Sequence, residues 1–163
     1  MDHNGNGYEL AQLNIGRILA PLDSEQLSGF VGGLEHINGL AEAAPGFVWR
    51  LRDEETGDAT SIRPFEDDWI LVNMSVWQSP ESLRAFVYDD AHRSYLKRRR
   101  EWFEKLGEAV TVLWWVPGGQ RPTTGQARER LEHLRKHGVT EYAFGLQDAF
   151  PAPAVGADYT PLG

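Results

Sequence analysis

From Tyr8 to Arg17 the chain alternates. Ala11, Leu13 and Ile15 fall on one face and Leu10, Gln12 and Asn14 on the other, which predicts a strand whose second face is partly polar. Pro21 and Asp23 or Ser24 then mark a turn and N-cap. Leu27, Phe30, Val31, Leu34, Ile37 and Ala41 recur at helical spacing as far as about Ala44, with Gly32, Gly33 and Gly39 as weak points, and Pro45-Gly46 stops the helix. Phe47 to Asp53 reads as a second strand and residues 54–68, rich in Glu, Asp and Gly, as a loop. The clearest strand is Trp69 to Trp77, where Ile70, Val72, Met74 and Val76 alternate with Trp69, Leu71, Asn73, Ser75 and Trp77, so both faces should be covered. Ser79-Pro80-Glu81-Ser82 is a helix start with a cap, an early Pro and an early acid. That helix falters at Asp89-Asp90 and is expected to resume from Ala91 to Leu106. Val110 to Val116 is a strand, Thr123 or Thr124 caps a helix ending near His137-Gly138, and Ala143 to Phe150 suits a short final strand.

The order β, α, β, β, α, β is that of the ferredoxin-like split βαβ plan: an α+β fold with an antiparallel sheet, extended here by a C-terminal helix and a short strand. Residues 8–150 form one domain, with a flexible lead over 1–7 and a flexible tail over 151–163. Helices cover one sheet face in this plan. A second copy packed sheet to sheet would cover the other, so a homodimer enclosing a cavity between the two sheets is expected.

A length of 163 residues with 41% hydrophobic and 25% charged residues fits a globular domain and excludes collagen-like or disordered chains. The net charge of −8 opposes nucleic acid and anionic membrane surfaces, so neither is expected as a partner. Without cysteine there is no disulfide, thiolate metal site or thiol nucleophile. Met1 to Tyr8 lacks the basic and apolar regions of a signal peptide, which makes a cytoplasmic location the expectation. No run approaches the ~18 apolar residues of a membrane span. Six Trp in this length suit either a heavy core or the walls of an apolar pocket.

Asn73-Met74-Ser75-Val76-Trp77-Gln78-Ser79, followed at helical spacing by Leu83, Phe86 and His92, resembles the strand-and-helix segment of the dimeric α/β barrel superfamily, which includes monooxygenases of antibiotic-biosynthesis type. Gln12-Leu13-Asn14, Pro45-Gly46-Phe47-Val48-Trp49-Arg50, Arg100-Glu101-Trp102-Phe103, Leu113-Trp114-Trp115-Val116-Pro117 and Pro122-Thr123 resemble more specifically a bacterial family of such barrels known only as a domain of unknown function. The resemblance spans Leu10 to Phe150. It implies the barrel fold, a homodimer and a small-molecule cavity, and it leaves activity open, because the superfamily holds cofactor-free oxygenases, isomerases, haem enzymes and simple binders.

At 100° per residue, His92, Tyr95, Leu96, Arg99, Trp102, Phe103 and Leu106 share an arc of about 120° on the expected helix. His92 is thus a candidate acid, base or ligand, with Arg99 the one cation of the Lys-Arg-Arg-Arg run carried to the apolar side. The alternative is that His92 hydrogen-bonds a neighbouring loop and Arg99 is a structural ion pair. Asn73 and Ser75 share a strand face with Trp69 and Trp77, as Gln12 does with Asn14. Amides, a hydroxyl and indoles there would line a ligand cavity, or else satisfy one another in an ordinary core. Arg50 alternates with Trp49, so one of the two points inward, and Trp102 lies on the His92 stripe. Glu54-Glu55 and Glu66-Asp67-Asp68 read as solvated charge, and His133 with His137 lacks a third ligand, so no metal site is expected.

The leading expectation is a cofactor-independent enzyme, monooxygenase-like or an isomerase or lyase working by proton transfer, on a small apolar or aromatic metabolite. His92, Asn73 and Arg99 would be catalytic, and Asn14, Gln12, Trp77, Ser75, Trp69, Arg50 and Trp102 would contact substrate. In the superfamily's monooxygenases the substrate's own enolate or phenolate reduces oxygen, so no cofactor is needed. The alternatives are a haem protein with His92 as ligand, as the resemblance to haem-degrading barrels implies, and a non-catalytic binding protein.

Overall fold

The computed structural model describes residues 7–53 and 57–153. The expected lead apart from Gly7, most of the expected tail and the Glu54-Glu55 pair lie outside them. In chain order the elements are β1 (Tyr8–Arg17), α1 (Ser28–Ala43), β2 (Phe47–Arg50), β3 (Ile70–Trp77), α2 (Pro80–Val87), α3 (Asp90–Lys97), α4 (Arg99–Trp102), β4 (Thr111–Pro117) and α5 (Thr124–His137). The strands form one antiparallel sheet in the order β2-β3-β1-β4. This is the expected α+β, ferredoxin-like arrangement with an added C-terminal helix. The expected last strand is reduced to one antiparallel bridge, Leu113 to Phe144, before a 3-10 turn at Leu146–Asp148.

Each sheet face is covered by a different part of the chain. Ala11, Leu13 and Ile15 of β1, Val72, Met74 and Val76 of β3 and Val112, Trp114 and Val116 of β4 pack with Ala127 and Leu131 of α5, while Ala59, Ile62 and Phe65 close the side. The cover expected from a second sheet is therefore supplied by the chain itself. The opposite face carries α1 to α4 and holds two apolar clusters. Leu10, Trp77, Leu113 and Trp115 pack on Ala41 and Leu83 at one end. Ile18 and Leu71 pack on Leu27, Phe30 and Trp102 at the other.

The caps follow the sequence closely. Ser79 and Ser82 make a capping box before Pro80, Thr123 and Gln126 make another, and Asp89 accepts from the Ala91 N–H. Two expectations need correction. Pro21 and Ser24 form their own turn, and α1 begins only at Ser28. The helix expected over 91–106 is broken, since α3 ends at Lys97, α4 is a single turn, and Phe103 is extended. The cause is long-range pairing: Leu19 N–H donates to Trp102 O at 2.9 Å and Glu104 N–H to Arg17 O at 2.8 Å, which draws residues 102–104 out of the helix alongside the end of β1. Among the described residues no helix is long and apolar enough to cross a membrane.

Candidate functional site

The sheet register collects the polar strand residues into one belt. Asn14 stands opposite Thr111 on β4 and Asn73 on β3, and Gln12 stands opposite Ser75, which stands opposite Arg50 on β2. These two rows lie on the helix-covered face, because they share the parity of Leu10, Leu71, Trp77 and Trp115. An apolar row of Trp115, Leu10, Trp77 and Phe47 borders the belt on one side and Gly16 with Leu71 on the other.

The belt is wired through side chains. Gln12 Nε2 donates to Asn73 Oδ1 and to Ser75 Oγ, each at 2.8 Å, and Trp77 Nε1 donates to the same Ser75 Oγ at 2.8 Å. Asn14 Nδ2 donates to Thr111 Oγ1 at 2.9 Å. Gln12 and Ser75 are buried, whereas Asn73 is exposed despite sitting on an interior strand of the sheet. The helices therefore leave a cleft over Asn73. On α1, Phe30 and Leu34 join one apolar cluster and Ala41 the other. Ile37, on the same helical stripe, belongs to neither and stays half-buried.

Within this network Ser75 Oγ accepts twice, so its own hydrogen remains to donate; Asn73 Nδ2 likewise has no acceptor among the described residues. Asn73 presents its N–H donors at the opening, and the buried Ser75 hydroxyl and Gln12 amide stand next to it in the network. A ligand oxygen bearing negative charge suits those donors.

Of the residues expected to form a site, Gln12, Asn14, Asn73, Ser75 and Trp77 come together, and Arg50 adjoins them. His92 does not reach the belt: its ring lies 4.8 Å from Phe86, whose ring in turn stacks 5.4 Å from Trp77. Its Nδ1 faces Val87 O at 3.1 Å, so Nδ1 carries the proton and Nε2 is the basic nitrogen. Burial lowers its pKa, partly offset by the Val87 carbonyl and by Asp89. Arg99 is exposed, contrary to expectation, because the helix breaks at Lys97 and loses the phase that would have buried it. Arg98 is the cation that folds back, over the Trp102 ring at 4.9 Å and onto Glu101 at 3.0 Å.

Trp69 is exposed beneath the Arg17 guanidinium, 5.9 Å from the ring centre, and is not part of the belt. Trp102 is buried with Phe30 and Tyr95 in the apolar cluster beyond Leu71, where its indole N–H meets no acceptor among the described residues. Thr111 was not anticipated. Its polar character is visible in the sequence, but its partner lies 97 residues away. Outside the cleft, the His133 and His137 rings lie 4.5 Å apart at a tilt of 43°, and no group of three His, Asp or Glu among the described residues could hold a metal ion.

Two hollows also mark the surface. One of about 470 Å³ lies along Gly32, His36 and Leu40 of α1. The other, of about 390 Å³, lies at the β4 edge against Tyr8, Trp114, Arg121 and Gln126. Neither is bordered by a belt residue. Haem does not fit the residues present, since Phe86 stands between His92 and Trp77 where the ring plane would have to lie against the sheet.

Fold and belt thus define a ferredoxin-like α+β protein with a polar cleft between its sheet and helices. The chain belongs to the family described as a domain of unknown function (DUF3291), which it matches over residues 9–159, as the sequence resemblance implied. No curated protein matches it. Similar solved structures include a conserved protein of Methanosarcina mazei Go1, 12% identical with a TM-score of 0.48 over 68% of this chain and 92% of that one. SnoaB of Streptomyces nogalater, a cofactor-independent oxygenase, is 15% identical with a TM-score of 0.46 over 71% of this chain and 96% of its own. A protein of unknown function from Nitrosomonas europaea is 10% identical with a TM-score of 0.44 over 73% and 97%. None of these likenesses bears on activity.

Proposed function

We propose that the belt is the floor of the active site of a cofactor-independent enzyme acting on a small, flat, mostly apolar molecule that carries a phenol or an enolisable carbonyl. The observation that carries this reading is the position of Asn73: a polar side chain on an interior strand, fixed by Gln12, flanked by Leu71 and Ser75 on its strand face, and open to solvent. Its Nδ2 and the Ser75 hydroxyl hold the substrate oxygen and favour its anion. Solvent at the Asn73 opening takes the proton, because Phe86 keeps His92 from the belt. The anion then has two productive fates. Return of the proton at carbon gives isomerisation. Uptake of O2 at an activated CH2 followed by loss of water gives a C=O, with the carbon supplying all four electrons, as in a monooxygenase-like reaction.

The test is an absorbance pH titration of 2-naphthol held by excess protein. Bound naphthol should ionise below the pH at which free naphthol does, and Asn73→Ala should move that ionisation back up by about 1–2 pH units, the worth of a hydrogen bond to a charged oxygen. Binding with unchanged ionisation would reduce the cleft to a non-catalytic binding site, and no binding would refute the site altogether.

A further inference from the structure

Arg50 occupies an unusual place. It stands directly across from Ser75 on the belt face, with Asn73 its diagonal neighbour at a Cα separation of about 7–8 Å. A shift of register between Phe47 and Trp49 puts it there: Phe47 packs beside Trp77 on the helix face, Trp49 falls on the α5 face, and Arg50 returns to the helix face. Its side chain is only 11% exposed.

One carboxylate serves it. Arg50 Nε donates to Glu42 Oε2 at 2.8 Å, and Arg52 Nη1 lies 3.7 Å from that same oxygen. Two guanidinium groups thus share the Glu42 carboxylate at the β2 edge of the belt. Because Glu42 engages Nε, the end-on edge formed by Nη1 and Nη2 has no acceptor among the described residues. That edge matches the two oxygens of a carboxylate, and partial burial strengthens such a fork relative to one in open water.

We infer that the ligand of this cleft is an acid, an aromatic or enolisable molecule whose carboxylate sits on the Nη1–Nη2 edge of Arg50 while its hydroxyl or carbonyl oxygen sits on Asn73 and Ser75. This rests on the cleft being the ligand site and adds the substrate class. Glu42 pairs with the guanidinium from its Nε side, away from the ligand edge, and Arg50 is the specificity-determining residue.

Calorimetric titrations of 2-naphthol and 6-hydroxy-2-naphthoate, which differ by the carboxylate alone, test it in the wild type, Arg50→Gln and Glu42→Gln, with melting curves for all three. The wild type should bind the acid about tenfold or more tightly than the naphthol. Arg50→Gln should erase that preference while naphthol affinity holds, and Glu42→Gln should keep or enlarge it by removing a negative charge beside Arg50. Equal affinity of the wild type for the two ligands overturns the inference and leaves the cleft standing. So does an equal loss for both ligands in Arg50→Gln, or loss of the preference in Glu42→Gln, since either marks the pair as structural support. If neither ligand binds the wild type, the cleft itself fails and the acid assignment fails with it.

Discussion

Trp77 Nε1 donates to Ser75 Oγ two residues back on the same strand face, at 2.8 Å, and Gln12 donates to that oxygen from the opposite strand. One buried hydroxyl thus ties the aromatic wall to the polar belt. Ser75→Ala would orphan the buried Trp77 indole N–H and take one of two acceptors from Gln12 Nε2, and a donor left without its partner in the interior costs about 1–3 kcal/mol. Denaturant unfolding should show a loss of that size, accompanied by a change in Trp emission; an unchanged midpoint would mean that the network does not hold the belt.

Asn73 should behave in the opposite way. Its side chain is exposed, and Gln12 Nε2 keeps Ser75 when Asn73 is removed. Asn73→Ala should change stability by about 0.5 kcal/mol or less while weakening binding of 2-naphthol. Parallel melting and binding curves check it, and a stability loss matching that of Ser75→Ala would make Asn73 a structural residue.

Two glycines of α1 separate helix propensity from packing. A Cβ on Gly33 would run into the Tyr95 ring, whose hydroxyl donates to Phe30 O and whose face stacks on Phe30 with centroids 6.0 Å apart. A Cβ on Gly32 meets nothing within 4 Å. Gly32→Ala should therefore stabilise the fold by up to ~1 kcal/mol. Gly33→Ala should destabilise it by about 1–3 kcal/mol, the cost of overpacking. Melting temperatures moving in the same direction would show that α1 and α3 are not in close contact at this point.

Stability should fall as the solution is acidified below about pH 6.5, the ordinary value for unfolded histidine. Burial lowers the pKa of His92, and burial together with His137 and Arg130 lowers that of His133. Between each depressed folded value and the unfolded one, the unfolded chain binds the proton more readily, so protonation favours unfolding. Asp67 and Glu101, whose carboxyls are lowered by their hydrogen bonds to Arg17 and Arg98, act only in a more acidic window. His92→Gln should flatten the decline between about pH 7 and 5 in urea midpoints; an unaltered slope would mean that His92 titrates alike in both states.

The strand faces were legible because alternation is local: β1 and β3 carry their polar residues on one parity, and that parity became the belt. The side on which the cleft lies was not, because it depends on α5, which begins 47 residues after β3 ends, docking on the other face. Arg50 was ambiguous for a related reason: counting from Phe47 without the register shift would turn Trp49 toward the helices. Arg99 was misplaced because a helical wheel assumes an unbroken helix, and the backbone pairing of residues 102–104 with the end of β1 breaks it from a distance. His92 kept its place beside Phe86, but the ring that separates it from the belt is visible only in three dimensions.

The claim on which the rest depends is that the belt, and neither surface hollow, receives the ligand. Side-chain amide resonances of Gln12, Asn14 and Asn73 followed by NMR during titration with 2-naphthol address it residue by residue. The largest shifts should fall on Asn73 and Gln12, while Gln120 and Gln126, which border the hollow at the β4 edge, stay put. Shifts at Gln120 and Gln126 with Asn73 unmoved would place the ligand on the other side of the sheet and contradict the account.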